Sequence, residues 1–487
     1  MSHGSPANAG LDVPLSMHFE PGRFGRLFPN LPPLAVADDK LKALGRAMIE
    51  PAGKENSVEL DNPGVPAGFT YLGQFIDHDI TFDTTPMPEV AIDPQQVHNF
   101  RTPKLDLDSL YGLGPDVQPY LYERPASGAP RHRFLLGETQ ASDDAAGKPI
   151  DPGKNDLPRS IERFATISDP RNDENLLVAQ THLAMLKFHN KVVDGGVADF
   201  AAARRIVTWH YQWIVLHDFL GRLIDPAALK DVLENGRRFY RFDVEPFIPV
   251  EFSVAAYRFG HTMVRHEYDH NRVFGPGSPG AGRLAPADLP ILFLFTGFSS
   301  NGGRMPLPSN WPIDWRRFYD LPRPATVRLN ASRKLDALLG KDLHTLPGIT
   351  DPDLRSLSVR NLLRGVRAGL PSGQAVAAFM QLPSLTPDEI ASGPDGAAAK
   401  AAGLERQTPL WFYILKEAEV HGGGRRLGAV GSRILAEVFV GLLQGDPNSF
   451  LVQAPTWKPE LPSATPGDFT MADLLTFVGD INPVGDA

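Results

Sequence analysis

The chain has 487 residues, 42% hydrophobic and 22% charged, a composition that supports a large buried core and excludes disorder, coiled coil and collagen. Its 48 Lys and Arg stand against 57 Asp and Glu, a net charge of −9, so attraction to nucleic acid is not expected. With no cysteine at all, disulfides, cysteine nucleophiles and cysteine-ligated metal centres are excluded together.

The 45 Gly and 46 Pro predict long ordered loops between the regular elements. No stretch reaches the 18 or so apolar residues of a membrane span. The opening residues carry no basic segment followed by an apolar core, so the expected location is cytoplasmic, or exported without a readable signal peptide.

Taken in chain order, residues 1 to about 60 are Pro- and Gly-rich and weakly periodic, which predicts an arm wrapped on a body. Phe69, Leu72, Phe75, Ile76 and Ile80 recur at helical spacing, so a helix over Pro66 to Asp83 carries Gln74 and His78 one turn apart. Residues 84 to 170 are turn-rich. Helical spacing returns over Glu174 to Val193 and Phe200 to Ile224, with Gly195 and Gly196 as the break between them. A further helix is predicted from Val250 to about Val264, then a Gly- and Pro-rich loop. Three more helices are predicted around Thr326 to Leu339, Ser356 to Ala368 and Gly428 to Leu443. No fixed-period repeat or long linker divides the chain, so one large, mainly α body with little β structure is the expected fold.

Three clusters bear on chemistry. The string His266-Glu267-Tyr268-Asp269-His270 satisfies the zinc-protease pattern H-E-x-x-H, but Gly275, Pro276 and Gly277 follow almost at once and no third ligand lies between Asn271 and Leu284. A zinc metallohydrolase using His266, Glu267 and His270 is therefore the weaker alternative. Thr102, Lys104, Asp106 and Asp108 stand two apart, so in an extended loop they face one way and offer hard oxygens to calcium. Leu110 and Val117 at the fifth and twelfth positions from Asp106 exclude an EF-hand, and helix capping by Asp106 or Asp108 explains the carboxylates equally well. The third cluster pairs GQFIDHDI (73 to 80) with DPRNDENLLVAQTHLAMLKFHN (169 to 190). His78 between two Asp, and Arg171 among acids, each read alone as a structural hydrogen bond or ion pair.

Together, YLGQFIDHDITF, RTPKLDLDSLYG, DPRNDENLLVAQTHLAMLKFHN, AAYRFGHTMV and RNLLRG resemble, in the correct order, the motifs of the animal haem peroxidase family (the peroxidase–cyclooxygenase superfamily), in a bacterial-type form without disulfides. The resemblance covers about residues 66 to 370 and implies a haem peroxidase domain over 61–487 behind the 1–60 arm. It implies haem b, with His261 as the iron ligand, Asn361 hydrogen-bonded to that ring, and Arg258 and Arg364 beside the haem and its propionates. His78 resembles the distal His, Gln74 its one-turn neighbour and Arg171 the distal Arg. Asp77 and Glu174 match the acids that ester-link the haem. Asp79, Thr102, Lys104 through its carbonyl, Asp106 and Asp108 resemble the calcium site.

The implied activity is reduction of hydrogen peroxide through a high-valent iron–oxo state, while small organic donors or halides are oxidised. The partners are thus small molecules, with no nucleic acid and no membrane span. Two positions depart from relatives. The cyclooxygenase branch carries a radical Tyr three residues before the iron ligand, where this chain has Arg258, with Tyr257 one residue off. That branch also lacks the distal Arg, so fatty-acid dioxygenation is the weaker alternative within the superfamily. The sulfonium-linked relatives need Met just after the linking Glu, and here that residue is Asn175.

Overall fold

The computed structural model describes residues 22–83, 97–124, 132–276, 283–297, 306–346 and 349–486. The first third of the expected arm, residues 1–21, lies outside them. Among the described residues the architecture is mainly α, as expected, and strands are short.

The helix Leu176–Asp194 forms the centre. Asn175 caps it by accepting from Val178 N at 3.0 Å, and most of its residues are buried on every side, as the apolar run from Leu176 to Leu186 requires. Its most extensive packing is with the helix Gly68–Ile80, the helix Phe200–Trp213, and the C-terminal helix Met471–Val478. Gly68–Ile80 is two residues shorter at its start and three at its end than the expected Pro66–Asp83. Its first residue must be small, because a Cβ on Gly68 would fall 2.4 Å from the Tyr319 ring.

Between residues 22 and 60, where only a weakly periodic arm was expected, the helix Asp38–Ala47 packs on Leu357–Arg367. Gly45 permits the approach, since a Cβ there would meet the Val359 backbone at 2.9 Å. The strand Gly22–Gly25 pairs antiparallel with His98–Asn99 and parallel with Ile248–Pro249. A second small pairing joins Asp61–Pro66 to Ala331–Arg333.

That last strand corrects one expectation. Residues 326 to 339 are not a helix: they form a loop and the strand Ala331–Arg333. Arg333 is buried there against Asp61 and Glu50, so tertiary ion pairs outweigh a weak local helical pattern. The segment predicted as one helix from Val250 to Val264 is likewise two tighter or looser turns, a π-helix Glu251–Ala255 and a 3₁₀-helix Ala256–Met263. Irregular turns of this kind re-aim side chains and are frequent at functional sites. The predicted helix over Phe200 to Ile224 similarly passes through π turns at Ile214–Phe219. Glu267–Tyr268, expected in a loop, is a short strand paired with Ala287–Asp288.

Residues 372–486, which the motifs left unassigned, contribute helices that pack behind the Ala256–Met263 segment. Leu410–Gly422 and Ala429–Gly445 both contact it, and the Trp411 indole donates to Arg258 O at 3.3 Å. Buried carboxylates fasten these helices: Glu417 accepts from Val430 N, and Glu437 from the backbone amides of Arg238, Phe239 and Tyr240. Such buried carboxylates are tolerated because each accepts from backbone N–H groups.

Candidate active site

The fold brings the expected residues into three adjoining groups. In the first, His78 on the Gly68–Ile80 helix is buried beneath the turn Pro170–Asp173. Its Nδ1 lies 2.9 Å from Asn172 Oδ1. A carbonyl oxygen only accepts, so Nδ1 carries the proton and Nε2 keeps a lone pair. Burial, reinforced by the nearby Arg171 charge, pushes the His78 pKa down to about 3, so the ring is neutral and able to accept a proton.

Arg171 is held by a fork to Asp169, Nε to Oδ1 at 3.0 Å and Nη2 to Oδ2 at 2.6 Å, and Nη2 also donates to His78 O at 2.9 Å. It lies 4.2 Å over the Phe82 ring. Arg101 shares the same carboxylate, donating through Nε at 2.9 Å. Burial alone would raise Asp169, but Arg171 and Arg101 hold its carboxyl far below the ordinary range. The surface or capping ion pair that Arg171 suggests when read alone is thus a buried one, directed at the backbone of His78.

Gln74 reaches the same turn. Its Nε2 donates to Glu174 Oε2 at 2.8 Å and its Oε1 accepts from Asn175 Nδ2 at 3.0 Å. Asp77 accepts from Thr81 Oγ1 at 3.0 Å. Burial raises the Asp77 carboxyl, with the charges of Arg171 and Arg258 opposing it; Asp77 therefore stands between the first group and the second.

The second group centres on His261 in the 3₁₀ segment. Its Nδ1 lies 2.8 Å from Asn361 Nδ2, and Asn361 Oδ1 accepts from Arg258 Nη1 at 2.8 Å. Because Arg258 can only donate, the amide nitrogen faces the ring, so His261 Nδ1 accepts and the ring proton sits on Nε2. Burial and the charges of Arg258 and Arg360 hold His261 well below its usual value. Arg258 itself is pushed down to about 9 by burial and by Arg364, which marks a concentration of buried positive charge. Arg364 pairs with Asp83, and its Nη1 is buried with no hydrogen-bond partner among the described residues.

The third group is acidic. Ligand oxygens of Asp79, Asp106 and Asp108 lie within 4.8 Å of one another. Asp79 accepts from Leu107 N at 3.2 Å and Ser109 Oγ at 2.9 Å, and Thr102 Oγ1 donates to Asp106 Oδ1 at 3.0 Å. Asp108 Oδ1 is buried with no hydrogen bond among the described residues, Arg101 being 3.7 Å away. Burial and the Asp106 charge push Asp79 up to about 7. Lys104 belongs to the same turn, its charge acting on Asp106. Three desolvated carboxylates in mutual repulsion are what a hard divalent cation relieves, and the backbone-capping alternative is met as well, since Asp106 accepts from Asp108 N and Asp108 from Thr102 N, both at 3.2 Å.

The zinc pattern does not assemble. His266 Nδ1 meets Asp342 Oδ2 at 2.5 Å, whereas His270 is buried with Nε2 donating to Trp311 O at 2.7 Å. Each ring is committed to its own partner, in a strand and loop rather than on one helix face.

Residues 85–276 match the profile described as animal haem peroxidase. Over that segment the chain is similar to the animal haem peroxidase family. It is similar to thyroid peroxidase of Homo sapiens, 26% identical over 331 residues, which is 61% of this chain and 32% of that protein. Chorion peroxidase of Drosophila melanogaster is 27% identical over 298 residues, 57% of this chain and 34% of that protein. The chain thus spans about a third of the length of these relatives. Among solved structures, peroxidase A of Dictyostelium discoideum superposes with a TM-score of 0.61 at 16% identity, covering 96% of this chain and 94% of that one. A fatty acid alpha-dioxygenase of Oryza sativa superposes with a TM-score of 0.56 at 12% identity, covering 93% and 79%. Both likenesses concern the fold.

The matched profile implies haem, and the residues are compatible with it. A neutral imidazole would serve as an iron ligand once Nε2 gives up its proton, and the surplus charge of Arg258 and Arg364, with a buried guanidinium nitrogen left over, suits the carboxylates of the macrocycle. Residues that motif reading missed are Asn172, His182, Asp169, Arg101 and Ser109. Of these only Asp169 carried a local signal, standing two residues before Arg171. Among the described residues no helix is long and apolar enough to cross a membrane.

Proposed function

We propose that this chain is a haem-dependent peroxidase that reduces hydrogen peroxide while oxidising small organic donors or halides. The observation that carries the proposal is the pairing of two buried neutral imidazoles, His78 and His261, each held at Nδ1 by an amide, with Arg171 fixed beside only one of them. His78 is thereby equipped for proton transfer, and His261 for ligation once its Nε2 has lost the proton that the Asn361 contact leaves there.

His261 would hold the iron of haem b, with Asn361 and Arg258 supporting it, and Arg364 and Arg258 would meet the propionates. Asp77 and Glu174 are the candidates for ester links to the macrocycle. When bound, haem supplies the redox centre that accepts oxidising equivalents from peroxide and hands them to donors. The chain supplies the rest. His78 Nε2 takes a proton from the bound peroxide and returns it to the leaving oxygen, acting as base and then acid. The Arg171 guanidinium, immobilised by Asp169, offsets the charge that develops as the O–O bond lengthens. Gln74 holds the Glu174 carboxylate in register with the His78 helix. Asp79, Thr102, the Lys104 carbonyl, Asp106 and Asp108 would bind calcium, which ties the residue next to His78 to the 102–109 turn. The arm at 1–60 and the body at 61–487 form one functional unit in this reading.

Fatty-acid dioxygenation is disfavoured by Arg258, whose guanidinium serves Asn361 where that chemistry needs a tyrosyl group, while the Tyr257 hydroxyl donates to Gly73 O at 3.1 Å. A visible spectrum of the purified chain followed by a turnover panel of phenols, bromide, iodide, thiocyanate and palmitic acid tests the proposal. A Soret band with peroxide-dependent oxidation of a donor is expected. A colourless protein after haem loading, or oxygen uptake with palmitic acid and no peroxide-dependent turnover, overturns it.

A further inference from the structure

Asn172 and His182 have no counterpart among the residues to which the sequence motifs assign a role, yet both are fully buried. The Asn172 amide bridges two imidazoles: its Oδ1 lies 2.9 Å from His78 Nδ1 and its Nδ2 lies 3.0 Å from His182 Nδ1. The same residue is anchored through its backbone, N to Asp169 O at 3.0 Å. His182 is wedged edge-on to Phe75, ring centroids 5.9 Å apart. One amide thus joins the Gly68–Ile80 helix, the Pro170–Asp173 turn and the Leu176–Asp194 helix.

The chemistry of an amide makes this bridge directional. Its oxygen only accepts and its nitrogen only donates. The ring that faces the oxygen must carry its proton on Nδ1, and the ring that faces the nitrogen must leave Nδ1 bare. His78 and His182 are therefore locked in opposite tautomers, and turning the amide over would reverse both at once. With the oxygen toward His78, the lone pair of that ring is at Nε2. With the nitrogen toward His78, Nε2 would carry a hydrogen and could accept nothing.

We propose that Asn172 is a positioning residue which, braced by His182, selects the Nδ1–H tautomer of His78 and so leaves His78 Nε2 as the proton acceptor. The inference deepens the peroxidase reading, on which the role of Nε2 rests, while the tautomers can be measured without it. The substitutions separate the amide's two functions. Asn172→Asp still accepts from His78 but has no donor, so His182 must switch its proton to Nδ1. Asn172→Leu removes both contacts.

The test is a long-range ¹H–¹⁵N correlation spectrum of the full-length chain with ¹⁵N-labelled histidine, in the diamagnetic ferrous carbonyl form where haem is held, with His78→Gln and His182→Gln used to assign the two rings. The expected result is Nδ1–H for His78 and Nε2–H for His182. Asn172→Asp should leave His78 unchanged and move His182 to Nδ1–H, and Asn172→Leu should cost His78 its preference. The reversed assignment in the unaltered chain, Nε2–H for His78 and Nδ1–H for His182, overturns the proposal, as does a His78 tautomer that survives Asn172→Leu. In haem-loaded protein, hydrogen cyanide must surrender its proton on binding, so its association should slow by about tenfold or more in Asn172→Leu and stay near the unaltered rate in Asn172→Asp. Equal rates in Asn172→Leu and the unaltered chain also overturn it. A chain that takes up no haem defeats the peroxidase reading and leaves the tautomer measurement standing.

Discussion

Gln74 Nε2 donates to Glu174 Oε2 across 2.8 Å, and this contact joins the helix that carries His78 to the turn that carries Arg171. Since Asn175 occupies the other end of the Gln74 amide, a change at any of the three residues alters how the two segments meet.

That relationship bears on the ester links. Glu174 is held in place by a neutral amide, so Glu174→Gln keeps the shape of the contact while removing the carboxylate. After a few peroxide turnovers, acid-solvent extraction should leave haem on the unaltered polypeptide. Less should remain in Glu174→Gln or Asp77→Asn, and none in the double variant. Complete extraction from the unaltered chain, with an intact mass equal to the polypeptide alone, returns both acids to structural roles.

The two histidines should separate cleanly. His261→Ala should abolish or strongly shift the Soret band. His78→Ala should retain haem and lose peroxide cleavage by about 10²-fold or more, the usual worth of a positioned acid–base group. An unchanged spectrum in His261→Ala sinks the ligand assignment.

Arg171→Lys keeps the charge but cannot reproduce the fork to Asp169 together with the bond to His78 O. The step with peroxide, followed by stopped flow, should slow by about 10²-fold, the scale of one lost preorganised donor. Rates near those of the unaltered chain would leave Arg171 a structural partner of Asp169.

Calcium should stabilise the fold, because a cation that binds only the native state shifts unfolding by roughly 2.7 kcal/mol at a hundredfold excess over its Kd. Melting temperature should fall on chelation and recover with added calcium, and Asp106→Ala should abolish that response. Equal melting temperatures with calcium and with chelator, in protein that elemental analysis finds free of calcium, exclude the site.

Acid should destabilise the chain in a defined window. His189, His210 and His270 are each pushed down to about 4, mainly by burial, from about 6.5 when unfolded. Below 6.5 the unfolded chain therefore binds more protons than the folded one, and stability is lost as pH falls from about 6.5 toward 4. Urea midpoints should drop between pH 7 and pH 5, and His270→Gln, which retains a donor for Trp311 O, should lessen the slope. A midpoint that stays level over that range contradicts the assignment of neutral buried rings.

Much of the site was legible in the sequence because its residues sit in short stretches whose local geometry is set by neighbours. The four-residue step from Gln74 to His78 puts both on one side of a helix, and the alternation from Thr102 to Asp108 puts oxygens on one side of a turn. The long buried helix Leu176–Asp194 announced itself through its apolar run. By contrast, the chain from 326 to 339 carries a helical pattern that the ion pairs of Arg333 with Asp61 and Glu50 override. The Val250 to Val264 pattern likewise gave no sign of the π and 3₁₀ turns that orient His261. Tertiary structure alone decided the contacts between distant segments: Arg258 to Asn361 across 103 positions, Gln74 to Glu174 across 100, and the choice of amide end presented to each imidazole. The reason is physical. Residue type and spacing determine which groups a segment can offer and on which face, whereas the direction of a hydrogen bond and the protonation of a buried ring depend on which partner the packed core brings to the other side.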